Sequence, residues 1–79
     1  MIITTITMRG KMYEITEKTT FMWDGACMQM FPDGWVYGPY GPRSIVLTKK
    51  ATEEIRAYTW NTKAYRNKDV TMFTLGVKA

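Results

Sequence analysis

Apolar and polar residues alternate at the start of the chain. Residues 2–8 are rich in isoleucine and threonine, and residues 11–17 resume the alternation with Tyr13 and Ile15 on one face. Arg9-Gly10, between the two runs, is typical of a tight turn. The pattern therefore predicts a β-hairpin at the beginning of the chain.

A second pair of short apolar runs follows. Phe21-Met22-Trp23 is broken at Asp24-Gly25, and Met28–Phe31 then leads into Pro32-Asp33-Gly34. Proline suits the first corner of a turn, and glycine suits a position where φ is positive. We therefore expect a turn here, with Met28–Phe31 pairing with Trp35–Tyr37 as a second hairpin.

The next segment has a helical period. Ser44–Leu47 is a short apolar run that predicts a buried strand, and Thr48 stands where a helix N-cap belongs. Over residues 49–66 one amphipathic face recurs at helical spacing. It is formed by Ala51, Ile55, Tyr58, Thr62 and Tyr65. The pattern favours a helix of about residues 49–66.

A strand from Arg56 to Tyr65 is the competing interpretation. Ala57-Tyr58-Thr59-Trp60-Asn61-Thr62 is high in β propensity, and Asn67-Lys68-Asp69 would turn such a strand back. The sequence leaves both alternatives open.

A final strand over residues 70–77 completes the predicted fold. Phe73, Leu75 and Val77 alternate with Met72 and Thr74, so the first three are expected to face inward. We predict an α+β protein: one compact domain over residues 1–79, with an antiparallel β-sheet of about four to five strands built from the two N-terminal hairpins and the C-terminal strand. The helix packs on one face of this sheet.

Size and charge narrow the class of protein. A chain of 79 residues forms one small domain, and its hydrophobic content of 46% is too high for a disordered segment. The net charge of +4 is uneven, because residues 1–42 carry −1 and residues 43–79 carry +5. A basic half of this kind attracts phosphates or an acidic protein surface, and it carries no specificity by itself.

The single cysteine and the N-terminal residues indicate the cellular compartment of the protein. Cys27 has no partner for an internal disulfide, which favours a reducing compartment. Residues 1–8 lack the basic start and unbroken apolar run of a signal peptide, and no stretch of about 18 apolar residues occurs. We expect a cytoplasmic protein that does not cross a membrane.

The residue types argue against catalysis. The chain has no histidine, which is the commonest general base and metal ligand, and a lone cysteine cannot complete a zinc site. Asp24 would raise the pKa of a Cys27 thiol, so we expect that cysteine to be buried or unreactive. Glu53 and Glu54 point about 100° apart on a helix and make a poor acid–base pair. The sequence predicts no enzyme, no metal and no cofactor.

Aromatic residues carry the main functional indication. Residues 31–43 contain four aromatic residues, three prolines and three glycines, with a surface loop expected at Gly38-Pro39-Tyr40-Gly41-Pro42. Tryptophan, tyrosine and arginine form interface hot spots, and a stiff turn presents them at low entropic cost. The predicted partner-binding residues are Trp35, Tyr37, Tyr40 and Arg43, whereas Phe21, Phe31 and Phe73 are assigned to the core.

These features predict a non-catalytic protein-binding module. In its general character the chain resembles small phage-encoded accessory proteins that block host enzymes or defence complexes by direct binding, including complexes that handle nucleic acid. The alternative for residues 31–43 is that the loop folds back and its rings fill the edge of the domain.

Two further functions stay open. Single-stranded nucleic acid would stack on the aromatic loop while cations of the C-terminal half follow the phosphates. Those cations are Lys49, Lys50, Arg56, Lys63 and Arg66, for which a solvated helix face is the ordinary explanation. The other function is capture of a nucleotide or small ligand at the interface of a homo-oligomer, since one small domain offers little pocket volume.

Overall fold

A computed structural model describes residues 1–34, 43–63 and 69–78. The elements in chain order are β1 (Ile2–Met8), β2 (Lys11–Thr16), β3 (Thr20–Trp23), β4 (Met28–Phe31), β5 (Ile45–Val46), α1 (Lys49–Arg56), β6 (Tyr58–Lys63) and β7 (Thr71–Lys78). Five strands form an antiparallel sheet in the order β5-β4-β3-β7-β6. The predicted α+β class, with a sheet of up to five strands and one helix, is confirmed.

The N-terminal hairpin is confirmed, although it forms a sheet of its own. Strands β1 and β2 pair only with each other among the described strands. Arg9 and Gly10 both have positive φ, at 52° and 78°, which is the backbone twist that joins antiparallel strands through two residues. The prediction that this hairpin belongs to the main sheet is wrong, because Ile6 and Ile15 instead pack into the core as a separate layer.

The core contains a row of aromatic rings across the centre of the five-stranded sheet. Phe73 is fully buried on β7, between Phe21 of β3 and Trp60 of β6. Its ring centroid lies 5.3 Å from that of Phe21 and 3.8 Å from that of Trp60, and both pairs are stacked. The indole Nε1 of Trp60 also donates to the Ile55 carbonyl at 3.3 Å, which ties this row to the end of α1.

The helix is shorter than the sequence predicts. Thr48 caps it as expected, its hydroxyl accepting from the Ala51 amide, and Ala51 and Ile55 are buried against the core. The helix ends at Arg56, so the prediction of a helix over residues 49–66 is wrong in its second half. The alternative strand is found as β6, because the β-branched and aromatic residues that follow pair with β7, where Trp60 stacks on Phe73.

The last strand follows its predicted pattern except at its end. Phe73 and Leu75 are buried as expected, but Val77 is 74% exposed. The pairing between β3 and β7 ends where Thr20 lies opposite Thr74. Val77 comes three residues later on β7, past the end of β3. Met72 and Thr74, which the alternation places on the outer face, are buried as well.

Candidate binding surface

The predicted Pro32-Asp33-Gly34 turn is present and is fixed from several directions. The Gly34 amide donates to the Phe31 carbonyl at 2.9 Å, and Gly34 has φ of +91°. A side chain at Gly34 would place its Cβ 3.1 Å from the Lys18 carbonyl, so glycine is required there. The buried Thr19 hydroxyl donates to the Pro32 carbonyl at 3.3 Å. The start of the aromatic segment is therefore anchored to the β2–β3 connection.

The predicted partner-binding residues are only partly within the described structure. Trp35, Tyr37 and Tyr40 lie outside the described residues, and so does the predicted pairing of Trp35–Tyr37 with β4. Strand β4 pairs with β3 and with β5, through Gln29 and Met30 on the β5 side. Arg43 is exposed, two residues before β5 begins. Phe31 is buried, as predicted.

A second surface, which we call the Trp23 groove, lies between α1 and the turn that joins β3 to β4. The guanidinium carbon of Arg56 stands 5.3 Å from the centroid of the half-buried Trp23 ring, within the range of a cation–π contact. The open groove has a volume of ≈ 390 Å³. It is lined by Trp23, Ala26, Cys27, Met28, Leu47, Lys49, Thr52, Glu53 and Arg56.

The Trp23 groove is not apparent from the sequence. Trp23 and Arg56 are far apart in the sequence, and they meet only because α1 ends above the end of β3. Cys27, which was expected to be buried or unreactive, is exposed at the rim of this groove.

The turn beside the groove depends on one carboxylate. Oδ1 of the exposed Asp24 accepts from the Ala26 amide at 2.8 Å and from the Cys27 amide at 2.7 Å. These two backbone hydrogen bonds, that from Cys27 first, hold the pKa of Asp24 below its usual value. Asp24 therefore binds the backbone of the residue whose thiol lies at the rim of the groove.

Acid should loosen this turn. Because the folded-state pKa of Asp24 is lowered, its contribution to stability is complete above the unfolded pKa and is lost as the pH falls through the folded pKa. We expect the difference in thermal midpoint between wild type and Asp24→Ala to be constant near neutral pH and to shrink below about pH 4. Thermal unfolding followed by circular dichroism checks this. A difference that persists unchanged into strong acid would contradict it, and Asp24→Asn provides an uncharged acceptor as the control.

The predicted nucleic-acid-binding cations that the structure describes lie on two elements, α1 and β6. Lys49, Lys50 and Arg56 are exposed on α1, where Glu53 lies one turn from Lys49 and Glu54 one turn from Lys50. Lys63 belongs to β6, and Arg66 lies outside the described residues. The acidic residues interleaved on the helix dilute a phosphate-binding stripe.

The fold and these surfaces define a small α+β domain with an anchored turn at residues 32–34 and a tryptophan–arginine groove. Comparison of the chain with protein-family models, with curated proteins and with solved structures gives no match. Within residues 1–34, 43–63 and 69–78, no helix has the length and apolar character needed to span a membrane.

Proposed function

We propose that the protein is a non-catalytic binding module for another protein, with its contact surface on residues 31–43. The main support is the turn at the start of this segment, which Thr19 and Gly34 hold against the β2–β3 connection. An ordered turn reduces the entropy that binding must remove, and this favours affinity. Arg43, exposed at the far end of the segment, adds a residue type common among interface hot spots.

The proposed mode of action is occlusion of an enzyme or defence complex in the cytoplasm, as by small phage-encoded inhibitors. Its support is the general character of the sequence: a small chain with no histidine, a single cysteine and an aromatic segment rich in proline and glycine. Blocking another protein requires a contact surface and no reacting group.

Affinity capture from bacterial lysate tests the class of partner. Tagged protein would be incubated with and without nuclease, at low and raised salt, and the bound material analysed by mass spectrometry and nucleic-acid staining. We expect one protein or complex that survives both treatments. Contacts to phosphates weaken steeply with salt, so recovery of nucleic acid that disappears at raised salt would replace this proposal with nucleic-acid binding.

A matched pair of baits makes the capture specific. Arg43→Ala removes the exposed cation at the end of the aromatic segment, and Lys78→Ala removes an exposed cation on β7, beside β6. The proposal requires a lower yield of partner with Arg43→Ala than with Lys78→Ala. Equal yields from both baits would mean that the partner does not bind through this surface.

A further inference from the structure

The two edges of the five-stranded sheet are unequally protected. Strand β5, at one edge, has only two residues, Ile45–Val46. Nη2 of Arg9 donates to the Val46 carbonyl at 2.9 Å, so a side chain from the N-terminal hairpin occupies a backbone acceptor there. Short edge strands and blocked backbone groups are devices by which proteins avoid edge-to-edge pairing.

Among the described residues, the opposite edge is neither short nor capped by a side chain, and its one irregularity is a shift of register between Tyr58 and Trp60, before the regularly paired residues 60–63. Strand β6 has six residues, Tyr58–Lys63, contains no proline and carries its only charged residue at its end. In the part of the chain that the structure describes, β7 is its only strand partner. The side chains of Thr59, Asn61 and Thr62 are exposed. An edge of this length is a template for another strand.

The ladder pattern identifies which backbone groups face outward from β6. The Leu47 amide donates to the Met28 carbonyl at 2.9 Å, so Met28 faces β5. In antiparallel sheets the direction of these groups alternates from residue to residue along a strand. The pairing registers carry this alternation from β4 through β3 and β7 to β6, where the backbone amide and carbonyl of Asn61 point toward β7. The amides and carbonyls of Trp60 and Thr62 therefore point to the outer side.

We propose that β6 pairs in antiparallel fashion with β6 of a second copy of this chain. A two-fold axis perpendicular to the sheet turns one edge onto itself and closes the assembly as a dimer. Residues 57–62 carry no charge, so two chains of net charge +4 meet through an uncharged segment. A second copy thus avoids like charges directly opposite each other along these residues.

The aromatic row also favours a second copy of this chain as the partner of β6. Phe21, Phe73 and Trp60 stack in sequence toward the β6 edge, and Trp60 remains half-buried at its end. A perpendicular two-fold axis keeps the core faces of both sheets on one side, so the second Trp60 approaches the first. Aromatic cross-strand pairs stabilise a sheet. The row would then continue across the dimer through the two indoles.

The dimer would have a functional geometry. Arg43, the last residue of the proposed contact segment, lies two residues before β5, which is the edge strand farthest from the dimer contact. In a ten-stranded sheet with strands about 4.8 Å apart, the two outer edges would lie roughly 43 Å apart. Two copies of Arg43 near these outer edges would suit a repeated or symmetric partner. The self-association itself does not depend on the proposed function.

Sedimentation equilibrium of the purified chain tests the dimer. The experiment covers roughly 1–500 µM, with reductant present because Cys27 is exposed. We expect a monomer–dimer equilibrium in this range. A monomer at every concentration overturns the proposal, including the case in which the edge accepts only a strand from another protein. Growth into species larger than a dimer also overturns it.

A pair of proline variants locates the contact on β6. The Thr62 amide faces outward, so Thr62→Pro leaves the β7 ladder intact, whereas Asn61→Pro removes an amide that faces β7. Thr62→Pro removes two edge donors by symmetry and should raise the dimer Kd by about tenfold or more. Asn61→Pro should lower the thermal midpoint instead. A folded Thr62→Pro that dimerises as wild type does would move the contact away from β6.

Amide exchange on wild type keeps the test independent of the variants. The amides of Trp60 and Thr62 should exchange more slowly at concentrations where the dimer forms than at dilute concentration. Exchange at these two amides that does not change with concentration would overturn the proposal, even if Thr62→Pro fails to fold.

Discussion

Phe73→Ala should unfold a large part of the protein population near physiological temperature. Its ring is fully buried between Phe21 and Trp60, and its removal leaves a cavity in the centre of the sheet. Truncation of a buried phenylalanine costs about 3–5 kcal/mol. A domain of this size has roughly 4–12 kcal/mol of stability in total.

Thermal and urea unfolding followed by circular dichroism measure this effect. At about 4–8 °C per kcal/mol for a small domain, the midpoint of Phe73→Ala should fall by at least about 12 °C. Val77→Ala is the matched control on the same strand, because Val77 is exposed and its truncation should change stability by less than about 0.5 kcal/mol. Equal shifts for the two variants would mean that the aromatic row does not hold the sheet together.

Trp35→Ala and Tyr40→Ala should each weaken binding to the captured partner strongly. Truncation of a hot-spot aromatic residue costs about 2 kcal/mol or more, which corresponds to roughly a 30-fold rise in Kd. Tyr37→Ala and Arg43→Ala belong to the same proposed surface and should weaken binding in the same direction. Titration calorimetry of the purified pair measures these changes.

Two controls separate this surface from the others. Trp23→Ala removes the aromatic residue of the Trp23 groove and should leave Kd within a few-fold of wild type. Reversal of Lys49 and Lys50 to glutamate should have its strongest effect only if the ligand is nucleic acid. A larger loss with Trp23→Ala than with Trp35→Ala would assign binding to the groove. Unfolding of the Trp35 and Tyr40 variants would instead assign those rings to the core.

Much of the fold follows from local patterns in the sequence. Arg9-Gly10 is sufficient to predict the first hairpin, because both residues adopt the positive φ that the turn requires. Pro32-Asp33-Gly34 predicts its turn for a similar reason, and Thr48 predicts the start of the helix. In each case the determining interaction lies within a few residues of the signal.

The predictions from sequence fail where tertiary contacts determine the local structure. Helical spacing and β propensity conflict over residues 56–65, and the stack of Trp60 on Phe73 is a long-range contact that no local pattern contains. Val77 has the periodicity of an inward residue, but its exposure depends on where β3 stops. The pairing of Trp23 with Arg56 likewise needs the end of the helix to be known. The exposure of Arg43, by contrast, follows from its residue type and its position beside a predicted loop.

The central claim is that residues 31–43 form the contact surface for another protein. Amide hydrogen exchange of the protein, alone and saturated with the captured partner, tests it most directly. We expect the increase in protection to concentrate on residues 31–43, with little change in α1 and in the Asp24–Cys27 turn. Protection concentrated on α1 and that turn, with residues 31–43 unchanged, would contradict the account.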